Sequence, residues 1–140
     1  YSGWGLTLFG LSEVKHFDLA KSTLSQTNER GCLARGNGRS YGDSSLNSGG
    51  VILERSTQKF VTIDKRLGHA RISGGALIDE LEVAALLCGF FPPVVPGTAK
   101  VTIGGAIASD VHGKSHHISG SFSNHLLEIT LLTSNAEILK

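Results

Sequence analysis

Leu77, Ile78, Leu81, Ala84, Ala85 and Cys88 follow the spacing of one helix face, while Asp79, Glu80 and Glu82 lie opposite. The pattern predicts a helix over Ala76–Cys88, with Gly89 just beyond it as a stop. Val14–Phe17, Val51–Leu53, Phe60–Ile63 and Ala70–Ser73 read as strands, with Val61 and Ile63 alternating against polar neighbours. Between the first two of these strands, Asp18 stands as the N-cap of a helix over Leu19–Thr27, closed by a turn at Asn28–Gly31. The short apolar run Cys32–Arg35 leads straight into a glycine-rich stretch. Pro92, Pro93 and Pro96 impose an extended approach to a second such stretch. Ile103–Ala108 is small and apolar, suited to a short buried helix. Leu126–Thr133 and Glu137–Leu139 read as paired strands about a Ser134–Asn135 turn. The order is mixed, a β-α-β arrangement with hairpins followed by a second α+β unit. The expected division falls at about residues 1–65 and 66–140.

Composition narrows the function classes. Hydrophobic residues make up 40% and charged residues 18% of the 140, which is ordinary for a folded domain. Thirteen Lys and Arg against twelve Asp and Glu leave a formal charge of +1, with no basic stripe, so nucleic acid is not an expected partner. The longest apolar runs, such as Val83–Leu87, are far too short to span a membrane, and no signal-peptide pattern opens the chain. Cys32 and Cys88 do not make a disulfide scaffold and read as reduced core residues. Glycine, 18 of 140, is about twice ordinary usage, and methionine is absent. A chain that opens at Tyr1 and ends at Lys140 inside a strand pattern reads as a piece of something longer.

The glycines cluster: six fall in Gly31–Gly50 and five in Gly97–Gly120. In Ala34-Arg-Gly-Asn-Gly-Arg-Ser-Tyr-Gly-Asp43, Gly36, Gly38 and Gly42 can take positive φ and let the backbone approach a ligand closely. Successive amides in such a loop form an anion-binding concavity. Arg35 and Arg39 add charge-assisted donors, and Asn37 and Ser40 neutral ones. A diphosphate cradle fits; so does a plain glycine-rich hairpin with surface arginines. A Rossmann loop does not, because the spacing is G-x-G-x-x-x-G and Ser44–Gly50 are turn formers rather than a helix. The Gly-Lys-Ser/Thr ending of a P-loop is absent.

In the second region, Gly97, Gly104 and Gly105 again permit close backbone approach, and Thr98, Thr102, Ser109 and Ser115 supply small polar groups. His112, His116 and His117 sit together, which leaves three readings. They form a metal site, a structural histidine-rich loop, or a cofactor pocket with backbone amides and one histidine facing a flat heterocycle. Metal suits them poorly: Gly113 and Lys114-Ser115 argue against a helix joining His112 to His116, and a lysine is a poor neighbour for a cation.

Taken together, the Ala34–Asp43 stretch, Pro96-Gly-Thr98, Val101-Thr-Ile-Gly-Gly-Ala-Ile-Ala108, Asp110-Val-His-Gly-Lys114, His116-His117 and Gly120-Ser-Phe122 resemble the FAD-linked oxidases of the vanillyl-alcohol oxidase/p-cresol methylhydroxylase superfamily. Gly3-Trp-Gly5 is similar to one subgroup, the flavin subunits of an epimerase in cell-wall arabinan precursor synthesis. The resemblance implies an α+β, PCMH-type FAD-binding domain: two α+β subdomains that sandwich FAD, here truncated at the C-terminal end before the substrate domain. It implies cofactor contacts from Ala34, Arg35, Gly36, Asn37, Gly38, Arg39, Ser40, Tyr41, Gly42, Asp43 and Ser44 in the first subdomain. In the second it implies contacts from Gly97, Thr102, Ile103, Gly104, Gly105, His112, Gly113, Lys114 and Ser115.

The same resemblance implies oxidation of a sugar or polyol secondary alcohol to a ketone. The substrate is then a small or lipid-linked sugar, and a reductase subunit completes the epimerase. The compartment is cytoplasmic, at a membrane surface or periplasmic. His112 is the residue expected nearest the reacting centre, with the catalytic base outside this chain. Many relatives attach their flavin through a histidine in the first loop. Arg39 stands at the comparable place, so non-covalent FAD is expected. Ser109 stands where near relatives carry cysteine. The rival expectation is a folded, non-catalytic piece without flavin.

Overall fold

Three consecutive apolar residues mark a strand covered on both faces. In the computed structural model, which describes residues 1–140, the run Val51–Leu53 is buried and forms most of the middle strand of a parallel sheet. The strands are β1 (Glu13–His16), β2 (Cys32–Arg35) and β3 (Val51–Glu54), in the order β1-β3-β2. Val51 is level with Glu13 on one side and Cys32 on the other; Glu54 ends the register beside His16 and Arg35. Ile52 is wholly inaccessible, and burying such a side chain contributes about 1.5–3 kcal/mol. Ala20 and Thr23 of helix α1 (Ala20–Leu24) are buried as well.

The first helix differs from the expectation over Leu19–Thr27. The chain enters it through a 3-10 turn, Phe17–Leu19, and no side chain caps it. Asp18 is occupied elsewhere. Its carboxylate accepts from the Ser56 hydroxyl, from Thr57 Oγ1 at 2.9 Å and from the Thr57 amide at 3.3 Å. Those donors hold it below the usual carboxylate range. Two hydroxyls from the segment after β3 out-compete the helix amides, so Asp18 joins two segments instead of starting one.

The chain divides into two units, Tyr1–Gln58 with Glu128–Lys140, and Lys59–Leu127. The boundary therefore lies a few residues before position 65, and the last thirteen residues return to the first unit. The expected strand Leu126–Thr133 contracts to β6 (Leu131–Leu132), paired antiparallel with β7 (Ile138–Leu139). Leu126 instead packs against the core of the second unit.

The second unit begins with a hairpin of β4 (Val61–Asp64) and β5 (His69–Ile72). Asp64 Oδ1 accepts the Arg66 and Leu67 amides at 2.9 and 3.0 Å and shapes its turn. Helix α2 (Ile78–Leu86) buries Ile78, Leu81 and Ala85, the stripe its periodicity predicts. Its start is trimmed because the Ala76 carbonyl takes the Ile103 amide at 2.8 Å and Leu77 bridges to Thr102. Glu80 reaches back to the Leu77 amide at 2.6 Å and pairs with Lys59; Asp79 pairs with Lys100. Both carboxyls are held low by those lysine hydrogen bonds. At the other end Gly89, at φ +82°, sends its amide to Leu86 and Phe90 sends its own to Ala85, a Schellman stop.

Helix α3 (Ile103–Ala108), the single turn α4 (His116–Ser119) and a 3-10 turn at Phe122–His125 complete the unit. Its core joins Ala76, Ile78, Leu81, Val94, Ile103, Ala106 and Phe122, with Val61, Ile63 and Ile72 packed against it. Cys32 and Cys88 are free and half-buried rather than core residues, and burial pushes the Cys32 thiol up. No helix is long and apolar enough to cross a membrane.

Because Ile78 has no accessible surface, Ile78→Ala leaves a cavity in the middle of this core. It should cost about 2–5 kcal/mol. Urea unfolding followed by circular dichroism measures the loss, and a change below about 1 kcal/mol contradicts the packing described.

Candidate functional site

The first glycine loop follows β2 and belongs to the first unit. Gly38 (φ +61°) and Gly42 (φ +62°) take the left-handed conformation open to glycine; Gly36 does not. A Cβ on Gly38 would sit 2.9 Å from the Arg35 Cζ, so the position is closed by packing as well as by φ. From Gly38 to Ser45 no amide donates to a backbone carbonyl at hydrogen-bond distance. Ala34, Gly36, Ser40, Tyr41, Gly42, Asp43 and Ser44 are exposed, and Asn37, Gly38 and Arg39 are half-buried. The segment is therefore an accessible loop with two left-handed glycines and little backbone–backbone bonding of its own, the composition of an anion cradle.

The two arginines of the loop have different surroundings. Arg35 Nη1 donates to the Ser45 carbonyl at 2.6 Å and Nη2 to the Ser2 carbonyl at 3.1 Å, and its Cζ lies 4.5 Å from the Tyr1 ring centre. Arg39 lies 4.2 Å over the Trp4 ring, and its enclosed Nε has no hydrogen-bond partner. Ser45 Oγ, also enclosed, has none either.

These contacts come from a hairpin at Tyr1–Gly10, closed by a Ser2–Phe9 bridge and by Gly3 donating to Leu8 at 2.9 Å. Gly3 is buried, and a Cβ there would lie 2.5 Å from the Gly42 carbonyl oxygen. The Tyr1 hydroxyl donates to Glu54; burial and that carboxylate push the phenol up to about 12. Sequence reasoning noted Gly3-Trp-Gly5 only as a likeness and gave Tyr1 and Trp4 no place at the loop. The available signal was the aromatic pair set among glycines.

The second glycine region is organised differently. Thr102, buried, caps α3 by accepting the Gly105 amide at 3.1 Å. Ile103 donates to Ala76 and Gly104 to Gly74, both at 2.8 Å. The first three amides of α3 are thus used inside the unit, and the Ile103 side chain belongs to the core. Gly104 is small because a Cβ would approach the Gly74 carbonyl at 3.2 Å. The exposed positions are Gly97, His112 and Lys114. Gly113 is buried against Val95, whose carbonyl oxygen a Cβ would overlap. Ser115 donates to the Pro93 carbonyl at 3.2 Å. Gly74 and Val95, which set these close approaches, carry no chemical signal and went unread in the sequence.

His112 is exposed and bridges Ser121 through its backbone. Its ring stands 5.3 Å from that of His116 at 59°, and His116 meets His117 edge-on at 5.9 Å. No group of three His, Cys, Asp or Glu side chains is arranged to hold a metal ion, so the metal reading finds no geometry. Asp110, two residues before His112, accepts the Ser123 amide at 2.9 Å; that bond holds its carboxyl low and ties the turn leading into His112.

Residues 20–140 match the family described as FAD binding domain. The chain is 39% identical over 143 residues to decaprenylphosphoryl-β-D-ribose oxidase of Mycolicibacterium smegmatis, a match covering 97% of this chain and 31% of that protein. It is 27% identical over 107 residues to D-2-hydroxyglutarate dehydrogenase of Escherichia coli, covering 75% of this chain and 10% of that one. Among solved structures, 6-hydroxy-D-nicotine oxidase of Arthrobacter nicotinovorans superposes with a TM-score of 0.71 at 25% identity, over 77% of this chain and 24% of that one. A cholesterol oxidase variant of Brevibacterium sterolicum shares the fold, with a TM-score of 0.63 at 18% identity over 81% of this chain and 24% of that one. The chain spans less than a third of the length of each of these relatives.

The glycine contacts of the second region separate two kinds of position. Gly113→Ala drives a methyl into the Val95 carbonyl and should lower stability by about 1–3 kcal/mol, whereas Gly97→Ala meets nothing within 4 Å and should be near neutral. Thermal melts of the two variants side by side check this; equal melting temperatures contradict it.

Proposed function

The chain belongs to the FAD binding domain family, and from that premise we propose that it is the cofactor-holding part of an oxidoreductase that converts a secondary alcohol of a sugar or polyol to a ketone. Its α+β architecture is that of the FAD-linked oxidases its motifs resemble. FAD is the cofactor. The observation that carries the reading is the run Gly38–Ser45, whose left-handed glycines and amides free of backbone–backbone bonds suit the diphosphate of FAD. The alcohol is supported by two relatives whose names specify a ribose oxidase and a 2-hydroxy-acid dehydrogenase. The first of these also favours a lipid-linked sugar as substrate, which would bring the whole protein to a membrane surface.

Bound FAD supplies the two-electron acceptor for such a reaction. The first loop binds and neutralises the anionic part of the cofactor through backbone dipoles. With Arg39 in the place of an attachable histidine, the linkage is non-covalent. The exposed His112 presents a ring that can hold the substrate hydroxyl by a hydrogen bond, and the Asp110–Ser123 bond fixes the backbone just before it. A reductase partner acting on the ketone would complete an epimerisation.

The test is flavin content in the full-length protein. Gly38→Val places a branched side chain at φ +61° against Arg35 and should abolish FAD binding. Normal flavin content in that variant overturns the cradle. Acid denaturation of the parent should release all flavin into the supernatant.

Turnover per bound FAD tests His112. His112→Ala should keep its flavin and lose about 10²–10⁴-fold in rate. His117→Ala, whose ring packs edge-on against His116, should stay near the parent. Parental turnover per flavin in His112→Ala removes it from the reaction.

A further inference from the structure

The family match begins at Ala20, so the hairpin Tyr1–Gly10 lies outside it. That hairpin nevertheless meets the cofactor loop at three points: Gly3 against Gly42, Ser2 on Arg35, and Trp4 under Arg39. The two arginines are not equivalent. Arg35 has both terminal nitrogens engaged with carbonyls of its own unit and is a fastener. Arg39 has only the face of Trp4, and its Nε is enclosed without a partner.

An indole face attracts a guanidinium through its ring quadrupole but leaves the in-plane N–H edge unsatisfied. The contact therefore holds Arg39 over the ring without consuming its donors. An enclosed, unpaired N–H is costly unless a ligand supplies the acceptor. A free arginine side chain would also have to be ordered at the moment of binding, which weakens affinity.

We propose that Trp4 is a positioning residue for the cofactor: it holds the Arg39 guanidinium over its ring so that a guanidinium N–H meets a hydrogen-bond acceptor of bound FAD. This rests on the reading of Gly38–Ser45 as the FAD cradle. It assigns the N-terminal hairpin a part in cofactor affinity, and it divides the labour between an arginine that fastens and an arginine that binds.

The experiment is a titration of the full-length apoprotein with FAD, followed by flavin fluorescence. Trp4→Ala should raise the dissociation constant about 3–30-fold, the range of a partly desolvated cation–π contact. Trp4→Phe, which keeps an aromatic face, should stay within about 3-fold of the parent. In an Arg39→Gln background, Trp4→Ala should add no further loss, because Trp4 acts only through Arg39. Undiminished loss in that background means that Trp4 merely stabilises the hairpin, and overturns the proposal. An unchanged constant in Trp4→Ala, with Gly38→Val still devoid of flavin, overturns the proposal and leaves the cradle standing. Normal flavin in Gly38→Val overturns the cradle and the proposal with it.

Discussion

At several points in this chain a carbonyl oxygen occupies the place where a β-carbon would be. The Gly42 oxygen lies 2.5 Å from such a position on Gly3, the Gly74 oxygen 3.2 Å from one on Gly104, and the Val95 oxygen overlaps one on Gly113. Backbone packed on backbone at this range is open to glycine alone. Each contact seats one segment directly on the backbone of another. The Tyr1–Gly10 hairpin is seated on the first loop in this way, α3 on the Gly74 turn, and the His112–Ser115 loop on the Val94–Val95 strand-like run. Much of the glycine excess is thus a packing device rather than a reserve of flexibility.

The same constraint sorts the amides. Around α3 the close approach lets Gly74 and Ala76 accept the helix's leading N–H groups, which leaves that helix end self-contained. In the first loop the glycines at positions 38 and 42 turn the chain left-handed, and the amides that follow, up to Ser45, make no backbone–backbone bond. Two stretches of similar composition therefore differ in kind: one is closed by backbone hydrogen bonds, and the other is not. A formal net charge of only +1 gives no general positive field, so an anion held by the first loop would meet local dipoles instead.

How legible this was depended on range. Helix α2 was readable because its burial stripe and its Gly89 stop are both local, and Ile78, Leu81 and Ala85 are buried where periodicity puts them. The strand Val51–Glu54 was readable because continuous burial leaves a continuous apolar run. Asp18 was misread as a cap because its partners, Ser56 and Thr57, are distant in sequence and nothing local announces them. Gly36 was grouped with Gly38 and Gly42, yet composition does not tell which glycine in a cluster takes positive φ. Tyr1 and Trp4 were invisible as loop partners for the same reason as Asp18. A stacked pair such as Trp4 and Arg39 leaves no periodic trace.

The first glycine loop is also the link between two neighbouring parallel strands. β2 and β3 run side by side in the same direction, so Gly36–Gly50 must carry the chain back along the full length of the sheet, and it does so without a helix. β3 is the central strand, and neither β1 nor β2 has a partner until it arrives. Closure of the sheet and ordering of the loop are one event. A ligand held there would act as a clasp on the fold: at 100 times its dissociation constant, linkage would add about 2.7 kcal/mol to the stability of the unit. Supply of such a ligand during synthesis would then bear on how much of the protein survives, and not only on how much is active.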